Sequence, residues 1–115
     1  MRLVHDSAEG RHVLATQVET ADNVLQQGVG LMFRRSISDD YGLAFRFSKA
    51  RRRDIHMLFV FFPIDVIWAR DSEVVKVETL RPWLGYGAAT ADLIVELPEG
   101  AASDVAIGDR LAIVD

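Results

Sequence analysis

Asp54-Ile-His-Met-Leu-Phe-Val-Phe-Phe-Pro-Ile-Asp-Val-Ile-Trp-Ala-Arg-Asp71 is the stretch on which the reading of this chain turns. A single carboxylate, Asp65, lies within an almost unbroken apolar run that also holds Pro63 and ends on Trp68. Taking an unpaired carboxylate out of water costs several kcal/mol or forces it to take up a proton, so Asp65 needs a partner or a purpose. Val66, Ile67 and Trp68 leave no polar face, and strands apolar on both faces lie inside a fold or line a dry cavity. The link Arg70-Asp71-Ser72 then reads as a hairpin into Glu73–Leu80, where Glu73, Lys76 and Glu78 among valines predict a half-exposed strand.

Working outward, further short segments rich in β-branched or aromatic residues read as strands: 12–19, 42–47, 55–61, 92–97 and 110–114. Thr20–Met32 is the best helix candidate. Thr20 is suited to cap the free N–H groups, Asp22 suits the positive end, and Val24, Leu25, Gly28 and Leu31 fall on one side. A second short helix is expected over Gly100–Ala106, with Gly108-Asp109 as the turn into the last strand. The expectation is an α+β domain, mainly β: a small closed or nearly closed β-barrel or sandwich with one or two short helices. No repeat, low-complexity tract or linker divides residues 1–115, which read as one domain.

Composition removes several functions. With 115 residues, half of them hydrophobic, the chain can bury roughly 65% of its unfolded surface, enough for one real core. Without cysteine there is no disulfide, thiolate nucleophile or Cys-ligated metal centre. The N-terminal MRLVHDSAEGRHV lacks the apolar stretch of a signal peptide, and the apolar run 57–64 is far short of the roughly 20 residues that cross a bilayer. A cytoplasmic location is expected, with no membrane span. The net charge of −4, carried against eleven Arg and two Lys, disfavours nucleic-acid binding, which needs a concentrated basic surface.

Gly30-Leu31-Met32-Phe33-Arg34, Gly42-Leu43-Ala44-Phe45-Arg46-Phe47, Met57 with Pro63 and Asp65 behind it, Glu96-Leu97-Pro98-Glu99-Gly100 and Gly108-Asp109-Arg110 occur in this order. The ordered set, covering about 24–114, resembles the family known as domain of unknown function 192. That resemblance implies a compact, mostly β domain with a short helix carrying the Gly-Leu-Met motif. It implies no established activity. Several relatives are exported, whereas this chain shows no signal. The family's pattern has an aromatic before the Met and Lys-Asn-Thr after it. Here His56 and Leu58-Phe59-Val60 stand instead, so no role of that polar triplet carries over.

The candidate site residues each have a plain alternative. Asp65 reads first as a buried carboxylate held by an Arg or by backbone N–H groups. Arg34 is the expected partner, because a bidentate Arg–carboxylate pair best offsets desolvation. The functional reading has Asp65 facing a pocket to bind or polarise a ligand. His56 could lie beside it as an acid–base partner, or be an ordinary strand histidine. Trp83 and Tyr86, held between Pro82 and Gly87, form either a platform for a sugar or aromatic ligand or a cap on an open barrel end. Lys49, Arg51, Arg52 and Arg53 are the one basic cluster, either a phosphate grip or a solvated loop. His5, His12 and His56 lack metal-ligand spacing, and no phosphate loop or Gly-x-Ser-x-Gly elbow is present, so neither metal nor cofactor is expected.

Together these readings favour a non-catalytic small-ligand-binding or accessory module with a candidate pocket of Arg34, His56, Asp65, Trp83 and Tyr86. The alternatives are a small enzyme using Asp65 and His56, or nucleic-acid binding through 49–53. The partner is an unidentified small molecule or protein, and nothing in the residues sets the oligomeric state.

Overall fold

Asp65 lies on a strand at the middle of one sheet. The computed structural model describes residues 1–21 and 29–115. Its strands are β1 (Arg2–Ser7), β2 (Gly10–Ala15), β3 (Gln17–Thr20), β4 (Tyr41–His56), β5 (Ile64–Arg70), β6 (Glu73–Leu80), β7 (Tyr86–Pro98) and β8 (Arg110–Val114). They form one eight-stranded sheet in the order β2-β1-β8-β6-β5-β7-β4-β3. Among the described residues, only β3 and β4 pair in parallel.

The apolar run after Pro63 explains the centre. Ile64, Val66 and Trp68 of β5 enter one core with Leu43, Phe45, Met57 and Ile94. Ile67 and Ala69 enter a second core with Leu3, Val95, Leu97, Ala102 and Leu111. Six of the seven residues of β5 are buried, as a strand with no polar face requires. The β5–β6 hairpin turns on Asp71 (φ 51°) and Ser72 (φ 70°), with Arg70 opposite Glu73. Two successive left-handed residues match the twist of the flanking strands, and Asp tolerates that conformation better than most side chains.

The expected mainly β fold is present, but the sheet is not closed into a barrel. The segment read as one strand over 12–19 breaks at Thr16 into β2 and β3, which are the two edges of the sheet. One residue cannot reverse the chain into a hairpin. The Thr16 and Gln17 N–H groups both donate to the Asp40 carbonyl (3.0 Å each), and Val18 N–H donates to the Met1 carbonyl (3.3 Å).

The expected helices fare differently. Residues 22–28 of the expected helix Thr20–Met32 lie outside the described residues; of the rest, Thr20 ends β3, and Gly30, Leu31 and Met32 form a turn, with Gly30 at φ 52° and the Met32 N–H donating to the Val29 carbonyl (2.9 Å). Gly100–Ala106 is a run of turns: Ala101 N–H donates to Pro98 (3.1 Å), Ser103 to Gly100 (3.2 Å) and Val105 to Ala102 (3.0 Å). Gly100 takes φ 90°, and the Gly100 and Ala102 N–H groups are engaged by Asp65, which leaves no continuous helical ladder.

The expected strand 55–61 is also corrected. Ile55 and His56 end the long β4, and 57–63 is a loop in which Val60 N–H turns back to the Met57 carbonyl (3.0 Å).

Candidate functional site

The strand register explains how two buried carboxylates acquire different surroundings. Asp65 stands between Thr79 on β6 and Leu97 on β7; one row away, Glu96 stands between Val66 on β5 and Leu43 on β4. Successive residues of a strand face opposite sides of the sheet, so the two carboxylates enter different cores.

Asp65 is fully engaged by the protein. Thr79 Oγ1 donates to Oδ1 (2.7 Å), and the Gly100 and Ala102 N–H groups donate to Oδ2 (3.0 and 2.9 Å). The carboxylate thereby pins the turns after Pro98 onto the sheet, and Ala102 and Val105 close the second core beneath them. The expected partner Arg34 is not among its donors. The Arg34 guanidinium lies 3.6 Å from Glu19 and over the Tyr41 ring, 5.1 Å from its centroid.

Glu96 is only 5% exposed, and its Oε1 has no hydrogen-bond partner among the described residues. Burial pushes its carboxyl up to about 7, and the positive charge of Arg34 offsets part of that rise. It borders a cleft of about 210 Å³ whose other walls include Leu31, Phe45, Val60, Asp54 and His56. Val29, Gly30 and Met32 line this cleft and also an adjoining one of about 330 Å³, which contains Glu19, Arg34 and Leu43. Gly30 permits the close approach: at φ 52° a side chain is strained, and a Cβ would sit 3.3 Å from Glu96 Oε1. Tyr41, beneath Arg34, has its hydroxyl pushed up to about 12, chiefly by burial.

The five residues expected to form one pocket are therefore divided. His56, exposed at the end of β4, borders the Glu96 cleft, and its Nδ1 accepts from the Leu58 N–H (3.3 Å). In the neutral ring the proton then sits on Nε2. Arg34 borders the adjoining cleft. Asp65 borders neither and lines a separate depression of about 310 Å³. Trp83 and Tyr86 line neither cleft. The Trp83 ring packs on Phe59 and Phe61, while the Tyr86 hydroxyl donates to Asp54 (3.3 Å) and accepts from Arg52 (3.4 Å).

Of the basic residues, Lys49 lies within the irregular stretch of β4 between Arg46 and Arg51, and Arg51, Arg52 and Arg53 follow it in register with β7. Arg53 folds back over the Phe47 ring, 3.8 Å from its centroid, and donates to the Lys49 carbonyl (2.9 Å). Lys49, Arg51 and Arg52 are exposed.

Sequence reasoning passed over Glu96 as a site. The signal was present in Leu93-Ile-Val-Glu-Leu97, one carboxylate in an apolar strand, the same pattern that singled out Asp65.

Comparison with known proteins completes the picture. The family described as "Uncharacterized ACR", domain of unknown function 192, matches residues 4–113. The chain belongs to this family. A curated relative of the domain of unknown function 192 chain, UPF0127 protein PF1050 from Pyrococcus furiosus, is 39% identical over 101 residues, covering 83% of this chain and 84% of the relative. A Novosphingobium aromaticivorans protein of unknown function shares the fold, with a TM-score of 0.86 at 23% identity over 98% of this chain and 84% of its own. A Sinorhizobium meliloti protein described as a candidate transcription regulator gives 0.84 at 26% identity over 96% and 91%. Family membership brings no established activity to the Glu96 cleft. Among the described residues no helix is long and apolar enough to cross a membrane.

Proposed function

We propose that this chain is a non-catalytic small-ligand-binding module whose ligand enters the cleft beside Glu96. The observation that carries this reading is the Glu96 Oε1 atom, buried at the wall of a cleft without a partner among the described residues. An unsatisfied buried oxygen costs stability, about 1–3 kcal/mol, so each such group calls for an explanation, and a bound molecule is one that fits an oxygen at a cleft wall. The surrounding chemistry sets the class of ligand. Leu31, Met32, Phe45 and Val60 give the cleft an apolar lining, while Glu96, Asp54 and His56 add polar groups rich in acceptors. A small molecule with an apolar body and an amine or hydroxyl head fits both.

The acid–base reading has less support, because His56 borders the Glu96 cleft while both Asp65 oxygens are held by Thr79 and by the turns after Pro98. A thermal-shift screen of the wild type and Glu96→Gln against small amines, alcohols, sugars and nucleotides tests the proposal. A ligand at about 100 times its dissociation constant adds about 2.7 kcal/mol, which moves the midpoint of a domain this size by several degrees. The expected result is a shift with an amine or hydroxyl compound in the wild type that is lost in a folded Glu96→Gln protein. Equal shifts in both proteins would place the ligand elsewhere.

A further inference from the structure

Three connections meet at one end of the sheet: 29–40 before β4, 57–63 before β5 and 81–85 before β7. Their backbones are tied together. Phe33 N–H donates to the Phe59 carbonyl (2.8 Å), Trp83 N–H to that of Met57 (3.0 Å), and Met57 N–H to that of Gly85 (3.1 Å). Phe33, Phe59 and Trp83 all take left-handed φ, at 66°, 62° and 66°. Bulky side chains rarely adopt that conformation, and such strain persists where the surroundings over-determine it, often at functional positions.

These connections display a chain of aromatic rings. Phe33 stacks on Phe59 at 5.0 Å between centroids, Phe59 meets Trp83 at 5.1 Å, and Trp83 meets Phe61 at 5.6 Å. The rings nevertheless stay in water: Phe33 is 63% exposed and Trp83 44%, beside Leu84 at 76% and Leu58 at 51%. A contiguous exposed apolar patch of this kind marks an interaction site. Its electrostatics depart from the rest of the molecule. The ring-bearing segments 31–36, 58–63 and 81–85 contain Arg34, Arg35 and Arg81 and no acidic residue, in a chain of net charge −4; Asp39 and Asp40 follow in the same first connection, with the Asp40 carboxylate accepting from Thr16 and Gln17. Arg34 faces Glu19, whereas among the described residues Arg35 and Arg81 form no ion pair.

We infer that this aromatic tip docks onto an anionic lipid surface, with Phe33, Phe59, Trp83 and Leu84 entering the headgroup boundary and Arg35 and Arg81 meeting lipid phosphates. Charge complementarity favours this occupant: the segments that carry the rings hold three Arg and no acidic residue. The apolar groups stand on loop tips and not in a groove shaped for a peptide. Trp at the headgroup level with Arg at its rim is the arrangement that a membrane interface rewards. Neither Trp83 nor Leu84 lines the Glu96 cleft, so the inference does not depend on the ligand reading.

The two tryptophans make the test direct, because Trp68 is fully buried and Trp83 is exposed, so a change of emission on vesicle addition reports Trp83. The full chain is mixed with vesicles of phosphatidylcholine alone or of phosphatidylcholine with phosphatidylserine, and sedimentation measures partition. The expected result is a blue shift and co-sedimentation with the anionic vesicles, weakened by salt. Phe33→Ser with Leu84→Ser lowers partition about tenfold or more. Arg35→Gln and Arg81→Gln each lower it about fivefold on anionic vesicles and little on neutral ones. Circular dichroism verifies that each variant is folded. No partition onto either vesicle by the folded wild type overturns the inference. So does a wild-type dimer that Phe33→Ser with Leu84→Ser dissolves, which would make a second copy the occupant.

Discussion

Asp65 and Glu96 are each a lone carboxylate in an apolar strand, one row apart on neighbouring strands, and the sheet sends them to opposite faces. Asp65 receives three donors and holds the turns after Pro98 in place. Glu96 is equally buried, has an oxygen without a donor among the described residues, and borders a cleft. Burial alone therefore does not decide how a carboxylate is held. The donors that the fold supplies separate the two: a satisfied carboxylate adds to stability, whereas an unsatisfied one subtracts from it and stays available to a ligand.

The largest effect that can break this contrast is at Asp65. Asp65→Ala leaves the Gly100 and Ala102 N–H groups and the Thr79 hydroxyl without their acceptor, and a cost of about 3–5 kcal/mol is expected in urea unfolding. A cost below about 1 kcal/mol would mean that these turns hold without it.

Glu96 predicts the opposite sign of pH dependence from an ordinary paired carboxylate. Its folded-state value, about 7, lies above the ordinary 4.5, so the folded state keeps the proton to higher pH than the unfolded chain. Its contribution is fully present below pH 4.5, declines as pH rises toward 7, and is flat above that. The decline is on the order of 3 kcal/mol. The difference between wild-type and Glu96→Gln stability, followed by denaturant titration across this window, should carry the slope; a flat difference contradicts it.

A smaller effect sharpens the comparison from the other side. Glu96→Leu removes the unsatisfied oxygen and should raise stability above neutral pH by about 1–2 kcal/mol, whereas a loss would show that Glu96 holds the core as Asp65 does. Gly30→Ala is the mildest test. The strained φ and the 3.3 Å approach to Glu96 Oε1 predict a loss of about 1 kcal/mol, with the cleft narrowed and any ligand weakened. Unchanged stability and affinity would show that Gly30 does not shape the cleft.

Much of the sheet was legible in the residues. β6 and β8 fall where the alternation of polar and β-branched residues puts them, and Asp71-Ser72 forms the expected hairpin. The apolar segment 55–61 misled because a hydrophobic run implies a strand only when ladder partners exist. Here Met57 and Val60 turn inward while Leu58, Phe59 and Phe61 face water. β4 runs longer than its pattern suggests because the Arg-rich stretch 51–53 pairs with the small residues Ala89, Thr90 and Ala91 of β7, a match that only tertiary register reveals. β1 was missed because Arg2–Ser7 reads as polar, although His5 is buried and bonded to Asp109 at 2.7 Å. That hydrogen bond from His5 also holds the Asp109 carboxyl below its usual range.

The candidate site was legible only in part. A charge in an apolar strand is visible in sequence, and Asp65 and Glu96 show it alike. Which of them receives donors depends on Thr79, Gly100 and Ala102, which lie 14, 35 and 37 residues from Asp65. Sequence spacing alone does not contain that information.

The most direct measurement is an NMR titration of the Glu96 side-chain carboxyl in the folded protein, assigned by comparison with Glu96→Gln. A midpoint near 7 is the result expected of a buried carboxyl whose Oε1 has no hydrogen-bond partner among the described residues. A midpoint at the ordinary 4.5 would mean that Glu96 is solvated or paired, and the contrast with Asp65 on which this account rests would fail.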